Sequence, residues 1–302
     1  MFMRKAAADS KARLHTTDYA MTYRAKMPRT LGIIAGGGTL PGTVAAAARA
    51  AGRDVFIAGL EGFADPAVLA PWPHKMWRLG AAGRIVEVLR QNGCQDLVMI
   101  GPVRRPSLLD LRPDAGGARL LAKIGRAAFA GDDGLLAAIV RVLTEEGFNV
   151  VGMQDIVREA VAPKGLLTKA APDARAMADI ARGIEVARLL GAADAGHACV
   201  VQQGLVLAIE AIEGTDAMLN RAATLRRDGV GGVLVKLVKA NQDRRVDLPA
   251  IGPETVRNAI AAGLRGLAFE ANATILAERE ACLAAADAAG LFMLGLDPET
   301  LS

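Results

Sequence analysis

The sequence predicts an α/β protein with a Rossmann-like N-terminal domain and a second α/β domain that contains a mixed sheet. The chain has 302 residues, 52% of them hydrophobic, which is enough material for two separate cores. Short apolar runs typical of strands alternate with helical segments along most of its length. The pattern becomes irregular between about Gln154 and Asp173, where we place the junction. The predicted units are residues 1–30, 31–155 and 156–302.

Residues 1–30 are predicted to form a flexible basic extension, because lysines and arginines are frequent there and periodic apolar sequence is scarce. No stretch resembles a signal peptide or reaches transmembrane length without charges, so a soluble protein is expected. The net charge of +4 suits anionic ligands or an anionic membrane surface and argues against nucleic acid as a partner. The three cysteines lack CxxC spacing, which favours reduced thiols in an intracellular compartment over disulfides or a zinc site.

The N-terminal domain opens with a strand from Leu31, the glycine turn Gly36–Gly38, an alanine-rich helix and a second strand. Such a βαβ opening brings backbone amides close to a phosphate at a helix N-terminus. The string GGGTLPG departs from GxGxxG, so three interpretations stay open: a dinucleotide site, a packing turn, or a contact to a nucleotide sugar.

Further along this domain we expect a helix over 84–92, a strand over 97–101, a helix over 135–147 and a strand at FNVVGM. The loop after the strand 97–101 offers Gly101 and two guanidiniums, Arg104 and Arg105, which either contact phosphate or are merely exposed. The acids of Gly131-Asp132-Asp133 are expected to cap the following helix.

The second domain is predicted to alternate helices and strands, with one pair of strands adjacent in sequence, and this favours a mixed sheet. Helices are expected over 173–191, from 217, from 254 and over 277–289. Strands are expected over 197–201, 205–212, 233–238, 267–270 and 291–296. The strand 205–212, LVLAIEAI, has the composition of a buried strand.

A loop of mixed charge follows the apolar strand 233–238 and is the strongest candidate for chemistry. Asp243 and Asp247 are suited to bind a divalent ion such as Mg²⁺, which commonly shares one or two carboxylates with a substrate's phosphates. Four cations are suited to neutralise phosphate oxygens: Lys236, Lys239, Arg244 and Arg245. The alternative is a solvated connection whose charges pair with one another.

A second acidic motif, Glu213-Gly214-Thr215-Asp216, follows the strand 205–212. Ligands of open α/β sheets gather outside the carboxyl ends of strands, so Asp216 is expected to approach Asp243 or Asp247 at one edge. The alternative is that Thr215 or Asp216 caps the next helix.

Taken together and in this order, eight strings resemble one known family. They are GIIAGGGTLPG, GPVRRPSL, FAGDDGLL, EEGFNVVG, KGLLTKAAPD, EGTDAML, GVLVKLVK and NQDRRVDLPAIGPETV. From Leu31 to the C-terminus the chain resembles the metal-dependent UDP-2,3-diacylglucosamine pyrophosphatases of lipid A biosynthesis, the type unrelated to calcineurin-like phosphoesterases. The resemblance implies that residues 31–155 bind the nucleotide sugar and that residues 156–302 are the catalytic domain. It implies Mg²⁺-dependent hydrolysis of a lipid-linked UDP-sugar to UMP and 2,3-diacylglucosamine 1-phosphate (lipid X) by a homodimer. Because the acyl chains of that substrate sit in a bilayer and no spanning segment is predicted, we expect a cytoplasmic protein peripherally associated with the inner membrane, with the basic extension contacting anionic headgroups.

The resemblance also assigns site residues. Asp216, Asp243 and Asp247 are the implied catalytic residues and metal ligands. The implied substrate contacts are Gly36, Gly37, Gly38, Gly101, Thr168, Lys169, Lys236, Gln242 and Arg245. Two other functions remain as alternatives: an NAD(P)-dependent Rossmann oxidoreductase, and a protein that binds a nucleotide sugar or lipid without turnover.

Overall fold

The computed structural model describes residues 29–104, 111–125, 127, 131–239 and 242–301. Residues 1–28 of the predicted extension, and Arg105, lie outside the described residues. Within them, no helix is both long enough and apolar enough to cross a membrane.

The N-terminal domain is a parallel sheet with helices on both faces. The strands are β1 (Thr30–Ala35), β2 (Val55–Leu60), β3 (His74–Trp77), β4 (Cys94–Ile100) and β5 (Asn149–Val150). The helices are α1 (Leu40–Ala50), α2 (Pro66–Leu69), α3 (Ala82–Gln91), α4 (Ala115–Ile124) and α5 (Asp132–Glu145). The strands have the order β3-β2-β1-β4-β5, a doubly wound arrangement that confirms the Rossmann-like prediction.

Side-chain alternation along β1 divides the core of this domain into two layers. Leu31 and Ile33 pack with Val44 of α1 on one face, and Leu97 of β4 packs with Leu89 of α3 on the other. The elements α2, β3 and α4 were not predicted, and the strand expected at FNVVGM is reduced to Asn149–Val150.

The second domain has a six-stranded mixed sheet. Its strands are β6 (Gly165–Leu166), β7 (Ala198–Gln202), β8 (Leu205–Ile209), β9 (Val233–Lys236), β11 (Gly266–Glu270) and β13 (Phe292–Leu296). A separate pair is formed by β10 (Ala250–Ile251) and β12 (Ile275–Leu276). The helices are α6 (Ala174–Ala192), α7 (Gly214–Ala223), α8 (Pro253–Ala261) and α9 (Arg279–Ala289). The six strands have the order β6-β13-β11-β9-β7-β8, which confirms the predicted mixed sheet.

Strands β9, β11 and β13 run parallel, whereas β7 is antiparallel to both β8 and β9. Helix α6 covers one face of the sheet, where Ile180 and Ile184 pack against Val233 and Val235. Helices α7, α8 and α9 cover the other face.

The prediction that β8 is buried is wrong. It lies at the end of the sheet, and Leu205 and Ile209 remain 49% and 42% exposed. An apolar run has the same composition in a central strand and in an uncovered edge strand, so sequence alone did not separate the two cases.

The two domains meet through the residues that connect β9 to β10. We call residues 242–249 the interdomain loop. Leu248 packs against the β1–α1 side of the N-terminal domain, and Val246 packs against the layer on the opposite face of that sheet. The Gln154 side chain, just beyond β5, donates a hydrogen bond to the Arg244 carbonyl at 3.0 Å. The carboxyl ends of the parallel N-terminal strands and of β9 therefore lie toward this loop.

Candidate functional site

Three strands of the second domain bring titratable side chains to one edge of its sheet. Strand β9 ends at Lys236, and Ala198 of the antiparallel neighbour β7 is its register partner, so His197 lies next to that end. Strand β8 ends at Ile209, so Glu210 follows at the same edge. This edge leads directly into the interdomain loop.

The Lys236 side chain is buried and held by directed hydrogen bonds. Its Nζ atom donates to the Thr215 hydroxyl at 2.8 Å and to the Ala250 carbonyl at 3.0 Å. The Thr215 hydroxyl in turn donates to Oε1 of Glu210 at 2.5 Å. Lys236, Thr215 and Glu210 are 5%, 8% and 4% exposed, so bulk water does not compete for these bonds.

Two aspartates complete what we call the Lys236 cluster: Lys236, Glu210, Thr215, Asp216 and Asp247. Burial lowers the pKa of Lys236, and the carboxylates of Glu210, Asp216 and Asp247 oppose that shift. The structure therefore brings Asp216 and Asp247 around one lysine, although they are far apart in sequence.

The other titratable groups at this edge respond to the same lysine. Burial lowers the pKa of His197 to about 4, and the positive charge of Lys236 adds to that effect, so the imidazole is neutral at pH 7. Burial alone would raise the pKa of Glu210, but Lys236 and His197 hold it below its ordinary value. Glu210 is therefore the buried counter-charge of Lys236.

Asp216 supplies the main indication that this site takes a ligand. It lies in the first turn of α7, and its Oδ1 atom is buried without a hydrogen-bond partner among the described residues. An unpaired buried carboxylate oxygen is costly, and a cation is one means of satisfying it. Within the described parts of the chain, no group of three or more acidic, histidine or cysteine side chains is arranged to hold a metal. Asp216 and Asp247 fit Mg²⁺ as a pair of carboxylates whose remaining ligands come from water or a substrate's phosphates.

The third predicted ligand, Asp243, is already engaged by Arg245. The Nε and Nη2 atoms of Arg245 donate to its two oxygens at 2.9 and 2.7 Å, and these bonds lower the pKa of Asp243. Such a bidentate pair holds the guanidinium in one orientation, while 49% of the Arg245 side chain remains exposed. Asp243 and Arg245 thus lie in the interdomain loop as one ion pair, and Arg244 pairs with Glu270.

The sequence predicts that Lys239 neutralises phosphate oxygens, but in the structure it pairs with two carboxylates. Its Nζ atom lies 2.6 Å from carboxylate oxygens of both Asp133 and Asp194, and these two bonds raise the lysine's pKa against the effect of burial. Asp133 was predicted to cap α5, but Gly131 is the N-cap and makes no side-chain cap bond. Lys239 therefore joins the two domains. The buried Gln242 accepts a hydrogen bond from the Lys239 amide at 3.0 Å.

The glycine turn lies at the facing edge of the N-terminal sheet. The amides of Gly36 and Gly37 donate to the carbonyls of Ile100 and Pro102 at 2.8 and 3.0 Å. A Cβ atom on Gly36 would lie 2.4 Å from the Gly101 carbonyl oxygen. Close backbone packing therefore explains the glycine at position 36. The two amides that were predicted to contact substrate are already engaged in hydrogen bonds to these carbonyls. Gly38 is different, because it has a φ of +77° and open space beside it.

The structure does not bring Thr168 and Lys169 to the Lys236 cluster. The Thr168 hydroxyl accepts a hydrogen bond from the Met293 amide, and the Lys169 amide donates to Asp287. Both residues lie near the amino end of β13, at the opposite end of the sheet from Lys236. Arg104, beyond β4, is exposed.

The helix-capping alternative for the second acidic motif is wrong. Glu213 is the N-cap of α7 and makes no side-chain cap bond, while Thr215 and Asp216 lie inside the first turn. Sequence reasoning also missed Glu210 and His197 as parts of the site. A signal for Glu210 was present, since it is the one charged residue in the run LVLAIEAI.

Comparisons with known proteins agree with this arrangement of two domains. The family described as the LpxI N-terminal domain matches residues 30–160, and the LpxI C-terminal domain matches residues 163–294. The chain is 44% identical over 277 residues to the UDP-2,3-diacylglucosamine pyrophosphatase LpxI of Caulobacter vibrioides, covering 90% of this chain and 99% of that protein. The family suggested by the sequence strings is confirmed: the chain belongs to the LpxI family.

Proposed function

We propose that this protein hydrolyses the pyrophosphate bond of UDP-2,3-diacylglucosamine, releasing UMP and 2,3-diacylglucosamine 1-phosphate in lipid A biosynthesis. The chain is an enzyme of the UDP-2,3-diacylglucosamine pyrophosphatase class, as its 44% identity to the Caulobacter vibrioides protein supports. The observation that supports this location of the site is the Lys236 cluster at the interdomain loop, where one Asp216 oxygen has no hydrogen-bond partner in the described part of the chain.

The residues around Lys236 meet the electrostatic demands of this reaction. A pyrophosphate diester is negatively charged and repels hydroxide, so its hydrolysis requires positive charge held where charge develops in the transition state. Lys236 is a buried cation at the edge that faces the other domain. Arg245, oriented by Asp243, presents a half-exposed guanidinium to the same loop. We assign both cations to the phosphates of the substrate.

We further propose that the reaction depends on Mg²⁺ held by Asp216 and Asp247. A bound Mg²⁺ would neutralise phosphate oxygens and polarise the phosphorus that is attacked. The fit rests on the Asp216 oxygen, which has no hydrogen-bond partner among the described residues, and on the proximity of Asp247 to the same lysine. Asp243 contributes by holding Arg245 in place.

The test is release of UMP from UDP-2,3-diacylglucosamine by the purified full chain, with Mg²⁺ and with EDTA. We expect turnover with Mg²⁺, loss in EDTA and recovery when Mg²⁺ is added back in excess. Full activity in EDTA would remove the metal from the proposal. A protein that binds the substrate without releasing UMP would fit the binding-only alternative.

The dinucleotide alternative is tested on the same preparation by thermal unfolding. A ligand that binds only the folded state raises Tm by mass action, so UMP is expected to raise Tm while NAD and NADP leave it unchanged. A rise in Tm with NAD or NADP and not with UMP would favour the oxidoreductase.

We propose that the protein works in the cytoplasm, peripherally associated with the inner membrane, because the acyl chains of the proposed substrate reside in a bilayer. The proposal is supported by Ile212, which is fully exposed between Glu210 and the Asp216-bearing helix, and by the exposed Ile209 nearby. In a vesicle flotation assay, Ile212→Asp is expected to reduce binding relative to wild type. Equal flotation of the two would exclude Ile212 as a membrane contact.

We also propose a homodimer. Strand β8 offers a surface for a second copy, since it ends the described sheet and carries exposed Leu205 and Val206. Light scattering after size exclusion is expected to give twice the monomer mass for wild type and a smaller mass for Val206→Asp. A monomeric wild-type protein at micromolar concentration would contradict the dimer.

A further inference from the structure

The Glu210 carboxylate is connected to the candidate substrate cation by a single hydroxyl. We propose that Glu210 is a positioning residue, which holds the Lys236 ammonium in its reactive orientation through the Thr215 side chain. The inference rests on the proposed function, because it assigns to Lys236 the role of meeting the pyrophosphate.

The direction of the hydrogen bonds is fixed by the chemistry of the three groups. An ammonium can only donate, so the Thr215 hydroxyl accepts from Lys236 and has its own proton free for Glu210. An ionised carboxylate can only accept, and the low pKa of Glu210 is consistent with that state. The two hydrogen bonds can therefore run in only one direction, from Lys236 to Thr215 and from Thr215 to Glu210.

Glu210 is itself held at both carboxylate oxygens. Its Oε1 atom accepts from Thr215 at 2.5 Å, and its Oε2 atom accepts from the backbone amide of His197 at 3.2 Å. That amide immediately precedes β7, whose register with β9 sets the position of Lys236. The anchor is therefore part of the same sheet that carries the lysine.

Lys236 needs such an anchor because its ammonium is a point charge on a flexible stem with three rotatable donors. The bonds to Thr215 and to the Ala250 carbonyl account for two of those donors, and the third is directed by the first two. Both carboxylate oxygens of Glu210 already accept hydrogen bonds from Thr215 and from the His197 amide, and a carboxylate repels an anionic phosphate, so a substrate is not expected to contact it. Its effect on the reaction must then pass through Lys236.

The experiment compares Glu210→Gln, Thr215→Val, Thr215→Ser and the double variant Glu210→Gln/Thr215→Val in UMP release. Thr215→Val keeps the shape of the side chain and removes the hydroxyl, whereas Thr215→Ser keeps the hydroxyl. We expect Glu210→Gln and Thr215→Val to lower kcat by about tenfold or more, the scale of one hydrogen bond to a charged group, with a smaller change in KM. Thr215→Ser is expected to stay within about threefold of wild type.

Two variants serve as matched controls. Glu213→Gln alters an exposed carboxylate that pairs with Arg221, and Thr224→Val alters an exposed threonine at the far end of α7. Both are expected to retain wild-type kcat. Circular dichroism and melting curves establish the folded fraction of every variant, and kcat is expressed per folded molecule.

The double variant distinguishes one connected chain from two separate effects. If Glu210 acts through Thr215, the double variant loses no more activity than Thr215→Val, because the chain is already interrupted. A loss equal to the product of the two single losses would overturn the proposal, as would wild-type kcat in both singles or a Thr215→Ser enzyme as slow as Thr215→Val. If Glu210→Gln does not fold, the Thr215→Val and Thr215→Ser pair decides. A wild-type chain that releases no UMP refutes the proposed function itself, whereas an active wild type with insensitive variants refutes this inference alone.

Discussion

The two sheets end in loops that face each other, but the polar groups in those loops differ in whether they have hydrogen-bond partners. In the N-terminal domain, the amides of Gly36 and Gly37 donate hydrogen bonds to the backbone carbonyls of Ile100 and Pro102. In the second domain, Lys236 is buried among carboxylates, and one oxygen of Asp216 has no hydrogen-bond partner among the described residues. The glycine turn resembles a phosphate-binding motif, yet two of its amides are satisfied by its own domain, whereas the edge of the second sheet holds a carboxylate oxygen without a hydrogen-bond partner among the described residues. The hydrogen bonding of the polar groups, more than the glycine motif, is the reason why we place the proposed chemistry at the edge of the second sheet.

The largest effects should come from the aspartates of the Lys236 cluster. Asp216→Ala and Asp247→Ala are expected to lower turnover by at least about 100-fold, the scale of losing a positioned electrostatic group. Asp243→Ala should cost less, since it frees Arg245 without removing it. The measurement is UMP release at saturating Mg²⁺, with the exposed Asp228→Ala as a control. The division of roles fails if Asp243→Ala is the slowest of the three variants.

At the facing edge, substitutions should act on stability. Gly36→Ala places a Cβ 2.4 Å from a backbone oxygen, and we expect it to lower the free energy of unfolding by about 1–3 kcal/mol. Turnover per folded molecule should stay within about threefold of wild type. Urea unfolding gives the first quantity and UMP release gives the other. Unchanged stability would show that the turn is looser than its packing indicates.

Gly38 offers a sharper test of whether this edge contacts substrate. Gly38 and Gly52 both have a φ of +77° and open space around them. Alanine at either position should therefore lower the free energy of unfolding by about 1 kcal/mol. Gly52 lies at the far end of α1 from the turn. We expect the two variants to have similar stability and a raised KM only for Gly38→Ala. Equal kinetics would remove Gly38 from the substrate contacts.

The smallest effect concerns a charge cluster of the N-terminal domain that lies outside the Lys236 cluster. Hydrogen bonds from Lys123 and Arg90 lower the pKa of Glu146 from 4.5 to about 2. A carboxyl with a depressed pKa stabilises the fold above its unfolded value and loses that contribution as the pH falls through the folded value. Glu146→Gln is therefore expected to cost about 1 kcal/mol at pH 7, with the difference from wild type fading between about pH 4.5 and pH 2.

The neighbouring Glu145 provides the control for that prediction. It is more exposed and pairs with Arg141 along the same helix, so Glu145→Gln should change stability by only a few tenths of a kcal/mol. Melting curves for both variants over this pH range test the assignment. A difference between wild type and Glu146→Gln that persists at pH 2 would contradict it.

Sequence periodicity was sufficient for the fold class, because both sheets are built from apolar runs separated by helices. It failed for β8, whose composition is that of a buried strand although no described element covers its edge. It also missed β3, a short half-exposed strand, and α4, whose first turn contains Gly116 and Gly117. These elements form because the neighbouring chain supports them, and that support is not a local property of the sequence.

The site was predictable to the extent that strand ends determine it. Asp216 follows β8 and the Asp243–Asp247 loop follows β9, so the topology of an open sheet was enough to expect Asp216 to approach one of these aspartates. The partner of Lys239 was not predictable, because Asp133 belongs to the other domain. Glu210 was missed for a related reason: its significance depends on a hydroxyl that lies in the next helix.

The comparison of Lys236→Met with Lys239→Met tests the central claim most directly, since these two buried lysines lie three positions apart. Lys236 belongs to the candidate site, while Lys239 pairs with Asp194 of its own domain and with Asp133 across the domain junction. We predict that Lys236→Met lowers kcat for UMP release by at least about 100-fold in folded protein. Lys239→Met should lower Tm while kcat per folded molecule stays within about threefold of wild type, because it leaves two carboxylates unpaired. Wild-type turnover in folded Lys236→Met would contradict the placement of the chemistry at this edge.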